Sequence, residues 1–187
     1  ATAPAALSTA GTISTTNAAI TLGASGKHQT LLDDLILSAG SGAVTLDSSV
    51  NGAHSLTVNT SGVTTFNAAI GSITANPASG GTALTSVTTD GGGTLVMNGG
   101  AVTTTGSQLY GEAITLGANT TLDAGMGAVT LSSSVNGAYS LTVNSTGVTT
   151  LGGAIGSASA NPAAGGTPLT RVTTNGGGTL VMNGGAV

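Results

Sequence analysis

The chain has no cysteine and no tryptophan. Without thiols it can build neither a disulfide framework nor a thiolate nucleophile or ligand. Its aromatic residues are Phe66, Tyr110 and Tyr139, too few to fill a thick globular core. Charged residues make up 4% of the 187, against roughly 25% in an ordinary soluble domain. Lys27 and Arg171 are the only basic side chains, and the net charge is −4. Neutralising a phosphate backbone takes several cations, so the composition excludes nucleic-acid binding and docking on anionic lipid. The mean hydropathy is +0.38, yet no run reaches the ~18 apolar residues that a membrane-spanning helix needs. No charged-then-apolar signal segment is visible.

What remains is Gly, Ala, Ser, Thr, Val, Leu and Asn. A glycine-rich chain poor in aromatics is a candidate for disorder, because it buries little apolar surface against the entropy of the chain. Disordered chains, however, carry more charge and fewer β-branched residues. Here Val, Ile and Thr recur at regular spacing, which favours strands. A thin core drawn out along an axis fits this composition.

Self-comparison is the strongest signal. With Gly42 laid on Gly127, 42–102 lies over 127–187 without a gap, and 48 of the 61 positions are identical. TTDGGGTLVMNGGAV returns as TTNGGGTLVMNGGAV, with Asp90 replaced by Asn175. Upstream, QTLLDDLIL at 29–37 matches QLYGEAITL at 108–116 in pattern, with a first copy six residues shorter after it. A finer period lies within the unit. Strand-like tetrads begin near Ala43, Val63, Leu84, Ala101 and Ala128. Their mean spacing is about 21 residues, at the short end of the range typical of solenoid repeats. Weaker strand-like segments at 55–59, 94–98 and 113–116 fall between them. This predicts an all-β fold, a parallel β-helix or β-solenoid of about 21 residues per turn. The unit would hold about four turns of two or three short strands each, turned by Gly, Asn and Ser corners.

Equivalent strands of successive turns pair at about 4.8 Å. Alternation sends Leu56 and Val58 inward and Ser55, Thr57 and Asn59 outward. The glycine runs 91–93 and 176–178 and the dipeptides Asn51-Gly52 and Asn136-Gly137 read as tight corners. Asn at matching corners can stack into amide ladders, with Asn59 over Asn144, or their equivalents on the turns between, as candidates. Asp47, His54, Ser86 and Asp90 change to Ser132, Tyr139, Arg171 and Asn175 between copies, which places them outside or at corners. The domain reading is a divergent segment 1–27, serving as cap, linker or docking strand, followed by a solenoid region 28–187 with units at about 42–126 and 127–187.

Little here supports chemistry. Asp33, Asp34, Asp47, Asp90, Glu112 and Asp123 are the carboxylates; His28 and His54 are the histidines. Glycoside hydrolysis needs two carboxylates on one groove, but adjacent Asp33 and Asp34 point to opposite faces of a strand. Asp47 and Asp90 are lost in the second copy. Calcium-binding nonapeptide repeats need Asp in every glycine-rich turn, and only Asp90 qualifies. The histidines lack ligand partners nearby in sequence. No catalytic, cofactor or metal-ligating residue is assigned. The triplets at 63–65, 103–105 and 148–150 could form outward Thr ladders of the kind used to bind ice, although the triplets vary from turn to turn. Sequons begin at Asn59, Asn119 and Asn144, as chance allows in such a composition.

The strings VNGAHSLTVNTSGVTTF, GGTALTSVTTDGGG and NGGAVTTTGSQLYGEAITLGANTTL resemble repeats of bacterial filamentous-haemagglutinin-like and autotransporter-type surface proteins. The resemblance covers roughly 26–187 and lies in composition, rhythm and phrase. It implies a right-handed parallel β-helix exported to the cell exterior as a stalk, fibre or adhesin shaft. That family's secretion module and membrane barrel are not recognisable in this sequence, and no functional residue carries over, because its repeats are scaffold. The expected function is therefore a non-enzymatic structural component of an extracellular fibre or stalk. The alternative is a binding module, for ice or glycan, presented on a solenoid face. The expected partners are further turns of a longer chain, a second copy end to end, or a host or matrix surface.

Overall fold

The computed structural model describes residues 5–7, 11–71, 82–156 and 167–184. These form β-strands, turns and bends without a helix, and so without a helix able to cross a membrane. Strands are short because a Gly, Asn, Asp or Ser corner follows every few residues. The first turn contains β1 (Ala5–Leu7), β2 (Gly11–Ser14) and β3 (Ile20–Leu22). The second contains β4 (His28–Leu31), β5 (Leu35–Gly40) and β6 (Val44–Leu46). The third contains β7 (Ser49–Asn51), β8 (Ser55–Thr60) and β9 (Val63–Phe66). In the fourth, the bridged residue Ile70 stands in for a strand before β10 (Ser86–Asp90) and β11 (Thr94–Met97). The fifth contains β12 (Ala101–Thr103), β13 (Gln108–Tyr110) and β14 (Ala113–Leu116). The sixth contains β15 (Thr120–Gly125), β16 (Val129–Leu131) and β17 (Val135–Asn136). The seventh contains β18 (Ser140–Ser145), β19 (Val148–Leu151) and bridged Ile155; β20 (Arg171–Asn175) and β21 (Thr179–Met182) begin the eighth.

All the strand pairings are parallel, each strand lying on its equivalent one turn away. The result is a three-walled parallel β-solenoid. The second wall runs β2-β5-β8-β10-β13-β16-β19-β21 without a break. The third runs β3-β6-β9-β11-β14-β17. The first consists of β1-β4-β7 and β12-β15-β18-β20, joined through Val50, Ile70 and Val102. Val44 pairs with Thr64 and Gln108 with Val129, so the plain turns have the length expected from the sequence. Turns that carry an extra segment are longer, as where Val58 pairs with Thr89. Eight levels span roughly 34 Å at about 4.8 Å each. Residues 11–27, set apart in the sequence, supply β2 and β3 beneath β5 and β6.

The repeat is close to the expected four turns but is not a whole number of them. Val44 is on the third wall, whereas Val129 is on the second. Leu56 is on the second and Leu141 on the first. With Ile70 as a side, the second copy starts eleven sides after the first, three and two-thirds turns on. Each copy is therefore rotated by two walls, and equivalent residues do not stack. Only some of the tetrads share a wall: Val44 and Thr64 are partners, whereas Val102 belongs to the first wall. The match of 29–37 with 108–116 also falls one side short. β5 and β15 are the true equivalents, both irregular, between Ser38 and Gly40 and between Asp123 and Gly125.

The core is one file of side chains per inward column. Leu56 and Val58 are buried and Asn59 is exposed, as the alternation predicts. The file is not purely aliphatic. Phe66 is buried beside Met97 on the third wall. Tyr110 is buried on the second wall next to the small Thr89. Its hydroxyl donates to Gln108 Oε1 at 2.8 Å, and Gln108 Nε2 donates to the Asp123 carbonyl at 2.8 Å and to Thr104 Oγ1 at 3.1 Å. A buried phenol is accepted because its polar atom is paired. In the 91–93 corner Gly91 and Gly92 have φ of +128° and +81°, and at Gly93 a Cβ would run into the Gly62 carbonyl. The corner thus needs glycine twice for conformation and once for space.

Candidate functional surface

The coil brings Asp33, Asp34 and His54 together at a corner, with one ligand atom from each within 4.8 Å of the others. Asp34 Oδ1 accepts the Ser55 N–H at 2.8 Å, and His54 Nδ1 lies 3.9 Å from the same oxygen. The Ser55 backbone bond, then its hydroxyl, then the His54 charge hold the Asp34 carboxyl below its ordinary value. His54 has no such neighbour in sequence; one turn's length, counted on from Asp34, would have found it. The group is largely exposed. In the second copy Asn119 accepts the Ser140 N–H at 3.0 Å, in Asp34's place, and Tyr139 replaces His54. The shared element is a backbone clamp across turns; the charges are dispensable to it.

Several of the other titratable groups are tied to the frame. His28 Nδ1 meets Ser49 Oγ at 2.7 Å. Asp90 Oδ1 accepts the Gly91 N–H at 2.7 Å, and Asp123 Oδ1 accepts the Gly125 N–H at 3.1 Å. Glu112 is 3% exposed, and no hydrogen bond of ordinary geometry reaches its oxygens or the Thr89 hydroxyl. Burial pushes its carboxyl up; Thr89 and its own N–H act against this in smaller measure, and Asp90 adds to it. Asp90 and Glu112 are neighbours, but Glu112 is enclosed, so the two cannot flank a substrate as a carboxylate pair must. Two open clefts, one beside Ser145, Thr149 and Thr174 and one beside Asn17, Ser38 and Asn59, contain no titratable side chain.

Amide ladders form, one of them at Asn144, although Asn59 does not stack over Asn144. Asn67 Nδ2 donates to Asp47 Oδ1 at 2.7 Å and Asn98 Nδ2 to Asn67 Oδ1 at 2.8 Å, along the end of the third wall. Asn175 Nδ2 donates to Asn144 Oδ1 at 3.2 Å on the first wall. Asn59 pairs in register with Ser38 and Asp90 on the second wall, because the copies are rotated.

The Thr triplets are corrected too. Alternation turns Thr64 and Thr149 inward, where they are buried, and Val63 and Val148 outward, each 43% exposed. Thr104 is likewise buried. The outward Thr files arise elsewhere. Thr121, Thr142 and Thr173 are successive partners on the first wall, beside the file Asp123, Asn144 and Asn175. Thr21, Thr45 and Thr65 form another on the third wall.

No family model, curated protein or solved structure matches this chain.

Proposed function

We propose that the chain is a non-enzymatic structural component, a length of shaft in the extracellular fibre or stalk of a bacterial surface adhesin. The observation that carries this reading is the rotation of the repeat. Each 85-residue unit lengthens the coil by roughly 18 Å at about 4.8 Å per turn and sets its features two walls round from the last. Such growth makes a rod decorated on every side, rather than a single face or cleft. Its lengthwise partners would be further turns of a continuing chain or a second copy end to end. A host or matrix surface is the partner such a shaft would approach.

The test is electron microscopy of chains carrying one, two and three additional units. Uniform rods that lengthen by roughly 18 Å per unit are expected; particles that grow in all dimensions would discard the reading. A second reading, a module binding ice or glycan, is favoured by the paired Thr and Asx files on the first wall. Thermal hysteresis, or retention on an immobilised polysaccharide, would support it, and loss of either on changing Thr142 to a bulky residue would locate it.

A further inference from the structure

Asn51 and Asn136 follow the inward residues Val50 and Val135, so alternation turns both side chains out of the core. Yet they are 2% and 0% exposed. The chain returning from the long segment rejoins the coil beside each: Leu84 is buried in the core and bridges Thr104, and Leu169 packs against the core. In the first copy the Gly52 N–H donates to the Thr82 carbonyl at 3.1 Å, and Gly71 donates to the Val50 carbonyl at 2.6 Å. The Leu84 nitrogen lies 3.0 Å from where a Cβ on Gly71 would stand. In the second copy Gly137 donates to Thr167 at 2.9 Å and Gly156 to Val135 at 2.7 Å. The Leu169 nitrogen lies 3.1 Å from the corresponding point on Gly156. Each Asn thus lies between a threonine of one adjoining turn, Thr30 or Thr115, and a glycine of the next, where the stretch 82–84 or 167–169 rejoins the coil.

Neither Oδ1 nor Nδ2 of either residue has a hydrogen-bond partner among the described residues. A carboxamide offers two donors and an acceptor with two lone pairs, and buried polar atoms are nearly always paired. The same arrangement recurs on two different walls, among surroundings that the rotation has changed. Residues 50–53, 70–71 and 82–84 include no charged side chain, and neither do their equivalents 135–138, 155–156 and 167–169. An ion therefore lacks a counter-charge. The occupant must be small, neutral and able both to donate and to accept. Ala83 becomes Pro168, which has no N–H, so that donor is not required.

We propose that Asn51 and Asn136 each form a binding site for one internal water, which ties the carboxamide to the stretch of chain returning from the long segment. Buried waters make about three hydrogen bonds to groups otherwise left unpaired. The experiment is water–amide cross-relaxation by NMR on the intact chain. Long-lived water contacts to the Nδ2 protons of both residues are expected; lack of contact at either overturns the proposal. A second measurement uses Asn136→Leu, which keeps the branched shape and heavy-atom count and removes the amide. Expelling a bound water leaves its other partners unpaired, so Tm falls by about 3 °C. A rise in Tm means that the niche is dry and overturns the proposal as well. Should the variant fail to fold, the contacts in the unaltered chain still decide.

Discussion

Glu112 is a carboxylic acid whose ionisation the fold opposes. Its carboxyl is buried, and burial raises its pKa above the ordinary carboxylate value of 4.5. The folded state therefore holds this proton more tightly than the unfolded chain does. Below the unfolded pKa its ionisation costs nothing. As pH rises from there through the higher folded value, stability falls, and beyond it the loss is constant. Glu112→Gln removes this dependence. Tm measured at pH 8 should rise on substitution, whereas Tm at pH 3 should be unchanged within error. Equal shifts at both pH values would mean that the carboxyl is not the titrating group. Asp34 acts in the opposite sense: its pKa is lowered, so its contribution is present above the unfolded value and is lost as pH falls. Asp34 is exposed, which makes this the lesser effect.

No strand here is stable alone, since each has between two and six residues. Stability comes from stacking, and inward and outward columns contribute differently. Leu56 is buried between Leu35 and Val87 of the adjoining turns. Leu56→Ala leaves a cavity that three turns share and should cost about 2–5 kcal/mol. Asn67 bridges Asp47 and Asn98 in the exposed amide ladder. Asn67→Ala should cost about 0.5–1.5 kcal/mol, because water replaces the lost partners. Denaturant unfolding of the two variants measures both. A ladder variant as damaging as the core variant would mean that the side-chain amides, rather than the apolar file, hold the turns together. The strands were legible where alternation is clean, as in Ser55–Thr60. They were misread at 63–65, where Val63 faces out and buried Thr64 faces in. Nothing local marks that inversion; the pairing of Thr64 with Val44 and Leu95 sets it.

Over the whole molecule each turn touches only the turns above and below it, so cooperativity is carried between neighbours along the axis. Protection from hydrogen exchange should therefore grade along the rod. β8, β10, β13 and β16 of the second wall lie between other strands and should exchange slowest. β21, at the open edge, should exchange orders of magnitude faster. Uniform protection from end to end would point to a single cooperative unit and against turn-by-turn stacking. The rotation of the repeat belongs to this scale as well. Three units make eleven complete turns, after which a feature returns to its own wall.

The sequence by itself determined that the chain is a coil of short parallel strands recurring at one turn's length. Composition forced a thin core, and alternation and glycine corners are local properties that short stretches of chain reveal. It also exposed the long repetition of 42–102 in 127–187, which is visible as identity. Which wall each residue occupies was decided only by the tertiary structure. The long segment within each unit changes the number of sides passed per repeat, and a side count is a property of the closed coil. The pairing of Asp34 with His54, the ladder from Asp47 to Asn98 and the enclosed amides of Asn51 and Asn136 all join residues separated by one turn or by such a segment. Their contacts exist because strands of successive turns stack at hydrogen-bonding distance, and that stacking is fixed by the register of the whole sheet.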